Sequence, residues 1–322
     1  MLNKIHSNVI LRKIFKFPNL TNKLKLLKYN KNLKNHLGIT KNDYIKYNQL
    51  EIEITLNRSF NEKNIFINIK DTEKKYYHFY SYKKEIKNNY ITNRTKKKKI
   101  KIKINKEITS LKGLFKNCIN ITQVNFTKFY RENIIDMSEM FFGCYLLNKL
   151  NIEKLRTTNV QDMSNMFDGC SSLSELNLSN FNTENVKDMK FMFYRCSKLK
   201  ALDITNFKTH KVTNIRNMFN ECSSLLELNL SNFNTSKITD MTGLFCECKS
   251  LTKIIGINNF DTNKVKEMNY MFCGCALLKS LSGIKFLIKK NTKVKHMFLN
   301  CDQELLNKIK KHNKNFSNDA FV

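Results

Sequence analysis

Residues 171–196 read SSLSELNLSNFNTENVKDMKFMFYRC. Leu173, Leu176 and Leu178 follow the spacing L-x-x-L-x-L, and the last pair alternates, so both face inward from a short strand. Phe181, three residues on, turns the corner. Val186, Met189, Met192 and Phe193 then recur every three to four residues, which predicts a short helix with one apolar face. Asp188 precedes that run and predicts a cap whose carboxylate accepts free amides. The unit is strand, corner, short helix, corner. It cannot bury its apolar stripe alone, so it must stack on a copy of itself.

Copies are present on both sides. The terminal cysteine recurs as Cys118, Cys144, Cys170, Cys196, Cys222, Cys248, Cys275 and Cys301, at intervals of 26 residues with one of 27. A Phe stands three before each, from Phe115 to Phe298, and Met or Leu precedes every Phe. Asp136, Asp162, Asn214, Asp240 and Glu267 occupy the cap position, and Glu267, with its longer side chain, is the weakest cap. A period this regular predicts an α/β solenoid of about eight 26-residue rungs. The cysteines form an internal ladder of small buried residues. A ladder thiol has equal neighbours on both sides, so no disulfide pairing is specified.

Cys246 and Cys273 lie outside that register. Other rungs place Lys116, Phe142, Asp168, Tyr194, Asn220 and Leu299 in their slot, so the slot is expected to face solvent. The two C-x-C pairs invite a zinc reading, but four ligands must converge and Cys248 and Cys275 belong to the core. The sequence therefore assigns no metal and no cofactor.

Outside the repeats the period changes. Residues 1–48 predict a helical N-terminal module, with two helices within 9–37 broken at Pro18-Asn19. Residues 49–103 predict a small β-rich module: Ile52, Ile54 and Leu56 alternate, then Ile65, Ile67 and Ile69, then the aromatic run at Tyr76–Tyr80. In KKKKIKIKI, residues 96–104, isoleucines alternate with lysines, giving one dry and one wet strand face. The solenoid is expected over 104–303, and 304–322 as a polar C-terminal cap or tail.

The formal charge is +30, and residues 1–110 hold 27 basic against 8 acidic groups. That excess permits weak, salt-sensitive polyanion binding, to nucleic acid or an anionic membrane surface. No run of 18 apolar residues exists, so no membrane span is expected. The N-terminus has no apolar core of a signal peptide, and ten cysteines suit a reducing compartment. The expected location is the cytoplasm. Six scattered histidines, no nucleophile–base set, no paired carboxylates and no glycine loop argue for a protein that is not an enzyme.

The cassettes at 157–193, TTNVQDMSNMFDGCSSLSELNLSNFNTENVKDMKFMF, and at 233–245, FNTSKITDMTGLF, resemble the BspA-type leucine-rich repeat surface proteins. Such repeats also form a family in mycoplasmas and abound in protists. The resemblance covers roughly residues 104–301. It implies a leucine-rich-repeat-like, right-handed solenoid used in adhesion or protein contacts, and a surface or secreted location. It brings no catalytic residue.

The outward strand positions are the interaction candidates: Glu175, Asn177 and Ser179, then Asp203 and Thr205, then Glu227, Asn229 and Ser231. Lys149, Asn151 and Ala201 share the face. The sequence thus predicts a protein-interaction scaffold that uses the strand face toward one or more proteins. The alternative is a basic polyanion binder acting through residues 1–110.

Overall fold

The computed structural model describes residues 50–57, 64–91, 99–105, 108–129, 131–281, 286, 288–312 and 316–322. The helical module expected over 1–48 lies outside them. Ten strands are described: β1 (Leu50–Leu56), β2 (Asn64–Ile65), β3 (Tyr77–Ser81), β4 (Lys84–Ile86), β5 (Tyr90–Ile91), β6 (Lys99–Ile104), β7 (Ile121–Lys128), β8 (Lys149–Asn151), β9 (Glu227–Asn229) and β10 (Lys253–Ile255). One α-helix, α1 (Gln303–His312), follows.

The alternating segments form strands as their pattern requires. Ile52 pairs with Ile102 and Ile54 with Ile100, all four buried, while Glu53 and Lys101 pair on the outer face. The strand expected through Ile65, Ile67 and Ile69 shrinks to β2, because Phe66 and Ile67 are buried in succession and the alternation breaks. One six-stranded sheet runs β4-β3-β6-β1-β7-β8. The β-rich segment and the first repeats therefore share a sheet that crosses the expected boundary at residue 103, with β1 antiparallel to β7 and β7 parallel to β8.

The helical half of the rung is corrected by the structure. Phe191 and Arg195 have φ of 56° and 58°, in the left-handed region, so no helix can run through them. Two hydrogen-bond sets interleave instead. The amides of Phe191, Phe193 and Arg195 donate across to the carbonyls of Arg216, Met218 and Asn220, each at 2.9 Å. The amides between them, of Met192, Tyr194 and Cys196, fold back three residues at 3.1–3.2 Å. The segment is a run of tight turns stacked on the next repeat. Asn165 with Gly169, Asn217 with Glu221, and Tyr270 with Gly274 hold the same two left-handed positions.

Asp188 still closes the start of this run, as an Asx turn. Its Oδ1 accepts the Lys190 amide at 2.9 Å, and Asp136, Asp162, Asn214 and Asp240 repeat the bond at 2.8–3.1 Å. Glu267 accepts instead from the Lys293 ammonium and the Asn269 side chain. The same cap positions link consecutive repeats as isolated parallel bridges, from Ser110 through Asp188 to Lys293. The strand half is also sparser than expected. The repeats centred on Leu176 and Leu202 carry no strand pairing, whereas β9 pairs with β10.

Three side-chain ladders fill the stack. Phe115, Phe141, Phe167, Phe193, Phe219, Phe245, Phe272 and Phe298 lie ring on ring, with centroids 5.4–5.8 Å apart. From Cys144 on, each core thiol donates to the carbonyl of the Phe one repeat back, at 3.0–3.3 Å. Thr157, Thr183, Thr209 and Thr235 are buried, and each hydroxyl donates to a carbonyl of the next repeat and accepts that residue's amide. Asn180 and Asn206 add side-chain amides to three carbonyls each of the preceding repeat.

Both ends of this ladder are covered. At the start, Asn68 donates to the carbonyls of Gly113, Leu114 and Lys116. At the far end, the carbonyls of Asp319 and Ala320 receive the amides of His296 and Phe298, and Phe321 continues the ring stack on Phe298. The cap pairs an exposed polar face with an apolar one. Leu305 and Ile309 of α1 are buried, and Phe316 packs edge-on against Phe298.

Candidate interaction face

The outer face of the six-stranded sheet carries polar side chains in rows that the register defines. Strand pairing aligns Tyr80, Lys101, Glu53, Asn125 and Asn151 in one row, and Lys99, Thr55, Gln123 and Lys149 in the next. These residues line a groove of about 700 Å³ together with Tyr82, Lys83 and Lys103. Tyr82 is 76% exposed on the turn between β3 and β4, at φ 47°.

Ion pairs tie the groove to the strand face beside it. Lys101 reaches Glu51 at 3.1 Å and Glu53 at 3.7 Å, and Lys128 reaches Glu51 at 3.0 Å. Burial alone would raise the Glu51 carboxyl, but hydrogen bonds and charge from Lys128 and Lys101 outweigh it and hold it below the usual range. The Lys101 ammonium is pushed up, chiefly by its hydrogen bond to Glu51. Lys103 lies over the Tyr80 ring at 5.2 Å. Among the described residues, Lys83, Lys99, Lys103 and Lys149 have no carboxylate partner, so the groove carries unneutralised positive charge beside two tyrosines.

Of the candidates, Glu175, Asn177, Ser179, Asp203, Thr205, Glu227 and Ser231 are exposed and Asn229 is half-buried. Several are already engaged. Asn177 Oδ1 accepts the Ser179 amide at 3.0 Å, and Asp203 Oδ1 accepts the Thr205 amide at 3.0 Å and its hydroxyl at 2.7 Å. Asn229 Oδ1 accepts from the amide and hydroxyl of Ser231. The Thr205 hydroxyl and amide hold the Asp203 carboxyl below its ordinary value. These side chains thus close the turn after the strand. Glu175 and Glu227 close no such turn. Sequence reasoning places Lys149 and Asn151 on the face but misses Tyr80, Tyr82, Lys83, Lys99 and Lys103, because the strand pairing that gathers them joins segments some 20 to 70 residues apart.

The slot of the extra cysteines is corrected too. Cys273 is buried and Cys246 half-buried, because side chains there pack on the neighbouring repeat. Burial pushes the core thiols Cys144 and Cys222 up to about 12, which removes their reactive thiolate at neutral pH. Native-state alkylation is therefore expected to modify Cys246 first, and Cys170, Cys196 and Cys222 only on unfolding. Site-resolved mass spectrometry checks this, and rapid labelling of Cys196 in folded protein contradicts the buried ladder.

Fold and face together define a stacked-repeat protein whose six-stranded sheet has an open, groove-bearing outer face. Two overlapping stretches, residues 109–225 and 196–312, match the family described as Mycoplasma protein of unknown function, DUF285. The matches span more than half of the chain, and the chain belongs to that family. No curated protein matches it. Among solved structures, the crystal structure of the T. pallidum Leucine Rich Repeat protein (TpLRR) is similar at 18% identity, over 53% of this chain and 72% of that one, with a TM-score of 0.38. Among the described residues no helix is long and apolar enough to cross a membrane.

Proposed function

We propose that this chain is a protein-interaction scaffold, not an enzyme, and that its partner docks on the outer face of the strand sheet. The reading takes the repeats as a leucine-rich-repeat-like, right-handed stack of about eight rungs. The observation that carries it is the groove in which Tyr80, on a strand paired on both sides, and Tyr82, on the turn after it, stand beside Lys83, Lys99, Lys103 and Lys149, which have no carboxylate partner among the described residues. Exposed tyrosine supplies contact area at low entropic cost, and the charge favours an acidic partner surface. Glu175 and Glu227 extend the face along the repeats. A reducing, cytoplasmic setting suits the free core thiols.

Polyanion binding through residues 1–110 is the second reading, and the same lysines favour it. Salt separates the two. A stoichiometric partner retained at about 0.5 M salt supports shape-specific protein contact, whereas loss of all binding there supports simple charge attraction. With that partner in hand, Tyr82→Ala combined with Lys149→Glu is expected to weaken binding about tenfold, roughly 1.4 kcal/mol, by calorimetry. Both side chains are exposed, so the melting temperature should stay near that of the wild type. Unchanged affinity in this variant rules out the groove.

A further inference from the structure

We infer that Cys246, Glu247 and Cys273 form a site for one thiophilic divalent cation of the zinc type. Stacking makes the site. Cys246 and Cys273 occupy the same slot of consecutive repeats, which brings two sulfurs together from residues distant in the chain. The two sulfurs and a Glu247 carboxylate oxygen all lie within 4.8 Å of one another. In a tetrahedral site with zinc–sulfur bonds of about 2.3 Å, ligand atoms stand ~3.8 Å apart, so a small side-chain contraction closes the set. The other repeats hold Lys116, Phe142, Asp168, Tyr194, Asn220 and Leu299 in this slot, so the paired soft ligands arise only here.

Glu247 is aimed by two independent features. It sits at φ 56°, one of the left-handed positions, and its amide donates to the Cys273 carbonyl at 2.7 Å. Its carboxylate then lies across the next repeat, over Gly274, where an added Cβ would stand 2.5 Å from Oε1. Only a residue without a side chain leaves that place open to the carboxylate. Cys248 and Cys275 do not compete, because their thiols are committed to the carbonyls of Phe219 and Phe245.

Binding takes up one cation and releases the two thiol protons to solvent, giving a bis-thiolate, mono-carboxylate complex with a single net negative charge. Lys249, whose Nζ is 3.2 Å from Glu247, lies where it offsets that charge. Cys246 is half-exposed, so solvent can supply a fourth ligand.

The test is titration of the reduced, full-length chain with Co²⁺, which reports thiolate ligands through its charge-transfer and tetrahedral ligand-field bands. One equivalent is expected to bind with both signatures, and Zn²⁺ to displace it. Cys246→Ser and Cys273→Ser should each abolish the thiolate band. Glu247→Gln should weaken binding by about tenfold or more with circular dichroism unchanged. Cys301→Ser, in the core ladder, should leave binding intact. If Cys273→Ser unfolds the protein, the half-exposed Cys246→Ser carries the test alone. Absence of a stoichiometric thiolate band in folded wild type overturns the site, as does a band that survives Cys246→Ser.

Discussion

Phe193→Ala is expected to lower the stability of the protein by about 3–5 kcal/mol. The ring is fully buried, and lies 5.7 Å from both Phe167 and Phe219 at interplanar angles of 10° and 6°. Its removal opens a gap in the middle of a continuous stack. The gap cannot collapse easily, because the flanking backbones are tied to their neighbours: the Phe167 amide binds the Met192 carbonyl and the Phe193 amide binds the Met218 carbonyl, each at 2.9 Å. The cost therefore holds both the lost transfer of the ring from water and the unfilled cavity. Phe193→Leu, which refills most of the space, should cost clearly less. Urea unfolding measures both. A loss below about 1 kcal/mol for Phe193→Ala would falsify the ring stack as the axis of the core.

The second large effect is polar. Thr183→Val is expected to cost about 2–4 kcal/mol, although valine matches threonine in shape. The Thr183 hydroxyl donates to the Lys208 carbonyl at 3.0 Å and accepts the Lys208 amide at 2.7 Å. It thus serves both backbone groups of one residue in the next repeat, in a place where Thr183 is 1% exposed. Valine strands the donor and the acceptor together, and each then bears its desolvation cost. Thr183→Ser keeps the hydroxyl and should lose less than about 1 kcal/mol. If the two variants unfold at the same denaturant concentration, the bridge contributes nothing and the repeats are held by apolar packing alone.

Much of this architecture is legible in the spacing of residues along the chain. The Phe and Cys registers marked the interior of every repeat, and β1 and β6 could be read from alternation because a strand's side chains simply change face with each residue. Inward and outward positions on the repeat strands followed the same way. The helix was the error. Burial of Met189, Met192, Phe193 and Cys196 recurs every three to four residues in a helix, but a chain of tight turns with left-handed corners at Phe191 and Arg195 buries the same residues. Glycine or asparagine at so many of the equivalent corners, such as Gly113, Asn165, Asn217 and Gly274, was the available signal for turns.

The sequence by itself determined the repeat, its interior and the polarity of its faces, because these depend on spacing along the chain. Tertiary structure alone decided which amide meets which carbonyl, because alternate donors at Phe191, Phe193 and Arg195 find their acceptors one repeat away, and that choice exists only after stacking. It likewise joined β1 to β7 and so assembled the groove at Tyr80, Lys99 and Lys149. It also set Cys246, Glu247 and Cys273 within reach of one ion, since the distance between two residues in the same slot is the distance between repeats and not the length of chain that separates them.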